Sequence, residues 1–218
     1  MIEDYSLCTY VISRFDEGTK SVRMLGTGFL ISESLIVTSL HVVKSNDVGL
    51  RLIMPDITDI NSYQDVENNR CTCWPLHILA ADQFSDVCIL KIDNMRFDVG
   101  KKCELSSMDE VKVGERVGLW GFPHCVEGRK VLTYQETELG AKIVMSTGGI
   151  KNKYGTVNIQ TRPGQSGSPV FSLRTGKVVG LLVGAYAPDC GIRLGSINPY
   201  ELNQTSYCIS AEVIRKML

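Results

Sequence analysis

The chain has 218 residues, with 23 Lys and Arg against 24 Asp and Glu and a formal charge of −1. Hydrophobic residues make up 44% and charged residues 22%, a globular balance that excludes intrinsic disorder. Near-neutral charge excludes a global basic field for nucleic acid or anionic lipid, and no stretch approaches the ~18–20 apolar residues of a membrane span.

In chain order, Met1–Ser6 is acidic and poor in apolar residues, unlike a secretory signal. With Met1 as the native start, this predicts a cytosolic protein. Tyr5–Phe15 reads as a first strand, turned by Asp16-Glu17-Gly18. Ser21–Ser32 and Leu35–Thr38 follow as strands, then a polar surface loop over Asp56–Arg70. Further period-two runs lie at Val87–Ile92, Arg116–Trp120, Lys130–Thr137, Val157–Thr161, Val170–Ser172 and Val178–Val183. Short strands broken by turns predict an all-β sandwich or barrel. A break at Met95–Glu104 divides the chain into 1–98 and 99–218, each compatible with one small barrel. Ala211–Leu218 reads as a closing helix, with Ser210 as its cap and Lys216 at its negative end.

Eight cysteines are present: Cys8, Cys71, Cys73, Cys88, Cys103, Cys125, Cys190 and Cys208. A disulfide framework requires a secreted context. Cys8 and Cys88 sit in apolar runs, where cysteine acts as a small hydrophobe. Cys71, Cys73 and His77 suggest half of a metal site, but no second half follows. Free thiols and no metal or other cofactor are therefore expected.

Three segments carry chemistry. Arg162-Pro163-Gly164-Gln165-Ser166-Gly167-Ser168-Pro169-Val170 places a serine between glycines in a tight turn. Such a turn exposes the serine oxygen and aims the amides of Gly164 and Ser166 at one point, as an oxyanion hole requires. Leu35-Ile36-Val37-Thr38-Ser39-Leu40-His41 ends a buried strand with a histidine at the start of a turn. Asp86 opens the apolar strand Val87–Ile92, where a buried carboxylate needs a hydrogen-bonding partner such as an imidazole.

The order His41, Asp86, Ser166 is that of the chymotrypsin-like proteases. With GTGFLIS, LIVTSLHVV, SDVCILKID, GERVGLWGFP, PGQSGSPVF and GKVVGLLVG in sequence, the chain resembles the trypsin/chymotrypsin-like serine proteases. The nearest branches are the HtrA/Deg and glutamyl-endopeptidase-like enzymes. The resemblance implies two six-stranded antiparallel β-barrels with the site between them. It implies Ser166 as nucleophile, His41 as general base and acid, Asp86 as orienter, and the amides of Gly164 and Ser166 as oxyanion donors. Leu40 departs from the small residue or Asn usual before the histidine, and Ser168 replaces the Gly of many relatives.

By the same resemblance Gln160, Thr161, Leu182, Val183 and Gly184 line the primary pocket. Trypsin carries Asp where Gln160 stands, and Gln- or Glu-reading relatives carry His where Leu182 stands. The expected pocket therefore takes a small or apolar side chain, with Asp189 and Arg193 in a loop that can reach its floor. The implied function is a serine endopeptidase acting on protein or peptide substrates, with an activating partner or fused regulatory domain as a further expectation. Two alternatives stay open: a binding module that kept the fold without turnover, and a latent protease awaiting a partner. The esterase elbow Gly-x-Ser-x-Gly is not met, because Ser168 occupies its last position.

Overall fold

Strand β1 (Thr9–Asp16) starts the first barrel, followed by β2 (Ser21–Leu30), β3 (Leu35–Ser39), β4 (Leu50–Ile53), β5 (Cys73–Asp82) and β6 (Val87–Ile92). They close in the order β1-β2-β3-β6-β5-β4. A computed structural model describes residues 2–57, 59–68, 70–93, 102–186 and 205–218. The second barrel comprises β7 (Arg116–Gly121), β8 (Thr133–Thr147), β9 (Ile150–Val157), β10 (Pro169–Ser172), β11 (Val178–Tyr186) and β12 (Thr205–Ser210). It closes as β10-β11-β12-β9-β8-β7, and its neighbouring strands, like those of the first barrel, are antiparallel. Two six-stranded barrels are therefore the architecture. The break expected at residues 98 and 99 lies outside the described residues.

Closure explains the burial. In β3, Ile36 and Val37 are fully enclosed, and the facing strand β6 buries Val87, Cys88, Ile89 and Leu90. A closed sheet has no free edge, so continuous apolar runs are stable where an open sheet would expose them. The termini then cross over. Helix α1 (Ile2–Ser6) packs on β7 of the second barrel and stacks Tyr5 on Phe171, ring centroids 4.4 Å apart. Helix α3 (Glu212–Met217) packs on β6 of the first barrel with Val213 and Ile214 buried. Each barrel thus holds the other's end.

Several elements differ from the expectation. The first strand begins at Thr9, because residues before it coil: Thr9 Oγ1 donates to the Tyr5 carbonyl and Ser6 Oγ to that of Glu3. The strand expected at Val157–Thr161 instead spans Ile150–Val157. Strand β8 runs on to Thr147, and Gly148-Gly149, both at positive φ, reverse the chain with Thr147 opposite Ile150. Two consecutive positive-φ residues are what a tight hairpin turn requires. Ser210 does not cap α3. Its Oγ accepts from the Met108 amide at 3.1 Å, and Ala211 occupies the cap position.

Candidate active site

His41 owes its exposure to its neighbours. Strand β3 ends at Ser39 and turns into the short helix α2 (Leu40–Val43), in which Leu40, Val42 and Val43 are buried. His41 is the one residue of that turn left facing outward. Leu40, the departure from the family pattern, sits in the core, and its amide donates to the Asp86 carbonyl at 3.0 Å.

Asp86 closes the turn between β5 and β6. Asp82 builds that turn by accepting from the Phe84 amide at 2.9 Å and the Ser85 hydroxyl at 2.6 Å. Asp86 then takes a left-handed backbone, φ 57°, which short polar side chains tolerate. Both its carboxylate oxygens face α2. Oδ1 accepts the His41 amide at 2.8 Å, and Oδ2 lies 2.5 Å from His41 Nδ1. A carboxylate accepts only, so Nδ1 carries a proton, and in the neutral imidazole Nε2 keeps its lone pair. The register that sets Ser39 opposite Val87 brings the two strand ends together.

Ser166 sits in the loop between β9 and β10. Gln165, fully buried, shapes this loop from inside: its Oε1 accepts from the Arg162 amide at 2.7 Å and its Nε2 donates to Gln135 Oε1 at 2.5 Å. The loop amides alternate. Gln165 N–H donates to the Arg162 carbonyl and Gly167 N–H to that of Leu182. Among the described residues, the amides of Gly164 and Ser166 have no acceptor. The Pro163 carbonyl accepts from the His124 amide at 2.7 Å. A trans peptide carries its N–H opposite its C=O, so this bond turns the Gly164 N–H away from His124. The Gly164 carbonyl is held from the other side by Thr27 Oγ1 at 2.8 Å and Cys125 Sγ at 3.7 Å.

Thr27 of β2 joins the barrels. Its amide donates to the Ser166 carbonyl at 3.0 Å, its hydroxyl also accepts from the Phe122 amide at 3.1 Å, and its carbonyl accepts from Thr38 Oγ1 at 2.7 Å. Ser39 Oγ adds a bond to the Leu182 carbonyl at 3.2 Å. A Cβ built on Gly26 would meet Val42 at 2.9 Å and the Ser166 carbonyl at 3.1 Å, so the histidine turn and serine loop converge there. Among the described residues, the Ser166 hydroxyl makes no hydrogen bond to His41. In unliganded sites this contact is often long and tightens with substrate. Thr27 and Gln165 were not singled out from the sequence. A threonine between two glycines in an otherwise apolar run was the available signal.

The expected pocket residues divide. Thr161 is buried and bonded to Ser206, hydroxyl to hydroxyl at 3.0 Å. The Leu182 side chain packs in the second barrel's core, so it contributes its main chain, not a pocket wall. Val183 packs partly buried against the other core, and beside Gly184 a Cβ would meet nothing within 4 Å. The Gln160 carbonyl accepts from Arg162 at 3.5 Å. Asp189 and Arg193 lie outside the described residues, as does Cys190. The Ser168 hydroxyl is buried against Gly121.

The remaining cysteines described are free thiols. Burial pushes the Cys88, Cys125 and Cys208 thiols up to about 12, which keeps them protonated and poorly nucleophilic. His77 has Nε2 at 2.5 Å from Asp93 and Nδ1 at 3.7 Å from Asp47, so carboxylates flank both its nitrogens. Among the described residues no group of three or more metal-type ligands gathers, and no helix is long and apolar enough to cross a membrane.

A family model described as the trypsin-like peptidase domain matches residues 26–181. A DegP-like periplasmic serine endoprotease of Rhizobium meliloti (strain 1021) is 28% identical over 183 residues, covering 80% of this chain. The chain spans 31% of that relative's length. The relative's name places it in the periplasm, and the cytosolic expectation finds no support there. Two solved structures share the fold. The MamO protease domain from Magnetospirillum magneticum, apo form, has a TM-score of 0.69 at 12% identity, covering 100% of this chain and 99% of that one. The Rv3671c protease from M. tuberculosis, active form, has a TM-score of 0.65 at 19% identity, covering 98% of this chain and 80% of that one.

Proposed function

Because the chain belongs to the trypsin-like peptidase family, we propose that it is a serine endopeptidase in which His41, Asp86 and Ser166 form the catalytic triad. The observation that carries this reading is the double contact of Asp86 with His41, amide and ring together, which in the neutral imidazole leaves Nε2 free to accept a proton. In this reading Ser166 Oγ attacks the scissile carbonyl carbon while His41 Nε2 takes its proton. The carbonyl oxygen gains the charge and is received by the unclaimed amides of Gly164 and Ser166. A single such donor is worth roughly 10²–10³ in turnover. His41 then protonates the leaving amine, the C–N bond breaks, and an acyl-serine ester remains. Water, losing its proton to His41, attacks that ester; the acyl C–O bond breaks, His41 returns the proton to Ser166 Oγ, and the acid is released. Asp86 stays ionised and stabilises the imidazolium at each step.

On the acyl side, the open space at Gly184 supports a pocket for a small or apolar residue. The substrate is a protein or peptide, and regulation by a partner or an attached domain belongs to the same proposal. Digestion of a proteome-derived peptide library, with new termini mapped by mass spectrometry, tests it. Internal cuts after small or apolar residues, absent with His41→Ala, are expected. Cuts after Lys or Arg, or cuts that persist in the variant, contradict it.

A further inference from the structure

We propose that the cleft beside His41 is a subsite for an acidic side chain on the leaving-group side of the scissile bond, with Arg23 and Lys44 as its recognition residues. The proposal rests on the endopeptidase reading above. The cleft has a volume of about 560 Å³ and carries Arg14, Arg23 and Lys44 against one acid, Asp16. The acid is committed to the β1–β2 turn, where its Oδ1 accepts from the amides of Gly18 and Thr19. Arg14 is fixed by donating to the carbonyls of Val43, Asn46 and Val48, which makes it a rigid positive wall.

The β1–β2 register places Arg14 directly opposite Arg23. Like charges in that relation are destabilising. Among the described residues some cations elsewhere are paired, Lys153 with Asp109, Lys177 with Glu104, Arg174 with Glu115 and Arg116 with Glu136, and others are single exposed charges; the cleft differs in gathering three cations around one space. Among the described residues, Arg23 and Lys44 have no carboxylate partner. Uncompensated charge of one sign, kept in a cleft beside the proposed base, is the pattern of a site that recognises the opposite charge. The apolar residues Met24, Leu25 and Val42 line the same space and strengthen the field there.

The side of the bond follows from connectivity. None of Gln160, Thr161, Leu182, Val183 or Gly184 lines the cleft. Arg23-Met24-Leu25 instead leads directly to Gly26, which packs against the Ser166 carbonyl. The cleft therefore lies across His41 from the acyl pocket, where the amine that His41 protonates departs.

The test compares cut sites in the peptide library for the wild-type chain, Arg23→Glu and Lys44→Glu. Asp and Glu should be enriched over Lys and Arg at the first two leaving-side positions, on the order of five-fold for two exposed charge pairs. The enrichment should fall or invert in each charge reversal, and persist in Arg23→Lys. Wild-type cleavage with no enrichment, or enrichment unchanged by reversal, overturns the subsite while leaving the endopeptidase reading intact. If the wild-type chain cuts nothing, that reading fails on its own. Fluorescence anisotropy of Ala-rich peptides ending in Asp-Asp or Lys-Lys then decides the subsite. Tighter binding of the acidic peptide, lost in Arg23→Glu, supports it. Equal binding, or none by either, overturns it.

Discussion

Asp86→Asn is expected to lower kcat on a cleaved peptide by about 10⁴, with little change in KM or melting temperature. The carboxamide is nearly isosteric, and Asn accepts the left-handed backbone that residue 86 adopts, φ 57°. Its Oδ1 can still receive the His41 amide, now 2.8 Å from the carboxylate. The change falls on the other oxygen. A carboxamide NH₂ in the place of Oδ2, 2.5 Å from Nδ1, donates where the carboxylate accepted. The ring then carries its proton on Nε2 and cannot take one from Ser166. The counter-charge for the imidazolium is lost as well. Steady-state kinetics beside a thermal melt check this. A loss smaller than ten-fold would mean that His41 is not oriented through Asp86.

Gly167→Ala should abolish activity and cost about 4 kcal/mol or more of stability, a loss reserved for core and backbone collisions. Residue 167 has φ 90°, and an added Cβ would lie 2.0 Å from the Thr27 carbonyl oxygen and 2.5 Å from Thr38 Oγ1. Those atoms form the bond that aligns Thr27, which in turn holds the Ser166 carbonyl. The collision thus pushes the serine loop off the first barrel. Gly114→Ala is the control: φ is 84° there, yet nothing lies within 4 Å of the added carbon. It should cost only the left-handed strain of about 1–2 kcal/mol. Urea unfolding of both variants measures the difference. Equal losses would contradict the close approach of the serine loop to Thr27.

The parts legible in the sequence were those with strong local signals. β3 opens with Leu35-Ile36-Val37 and β6 with Val87-Cys88-Ile89-Leu90, apolar runs long enough to mark a strand, with Lys91 the exposed residue of β6. The serine loop announced itself through its glycines, both of which take positive φ, Gly164 at 96° and Gly167 at 90°. Strands β4, β5 and β12 were not legible. β4 is only four residues long, β5 exposes Cys73, Pro75 and His77 along one face, and β12 opens with Thr205 and Ser206. Their pairing is set by barrel closure, a long-range property that periodicity does not carry. The same limit applied at the site. Leu182 stood at the expected pocket position, but which way its side chain turns depends on the bulge between Leu182 and Gly184. The bridge through Thr27 joins residues far apart in the chain and required the fold to be seen.

Fluorophosphonate labelling of the purified chain, read by intact mass beside Ser166→Ala, tests the central claim most directly. The reagent transfers its phosphonyl group to a serine oxygen and releases fluoride, and does so only where a base and an oxyanion hole are assembled around that oxygen. One adduct per wild-type chain, absent from Ser166→Ala, is the predicted result. No adduct on the wild-type chain, or an equal adduct on the variant, would contradict the assignment of Ser166 as the nucleophile.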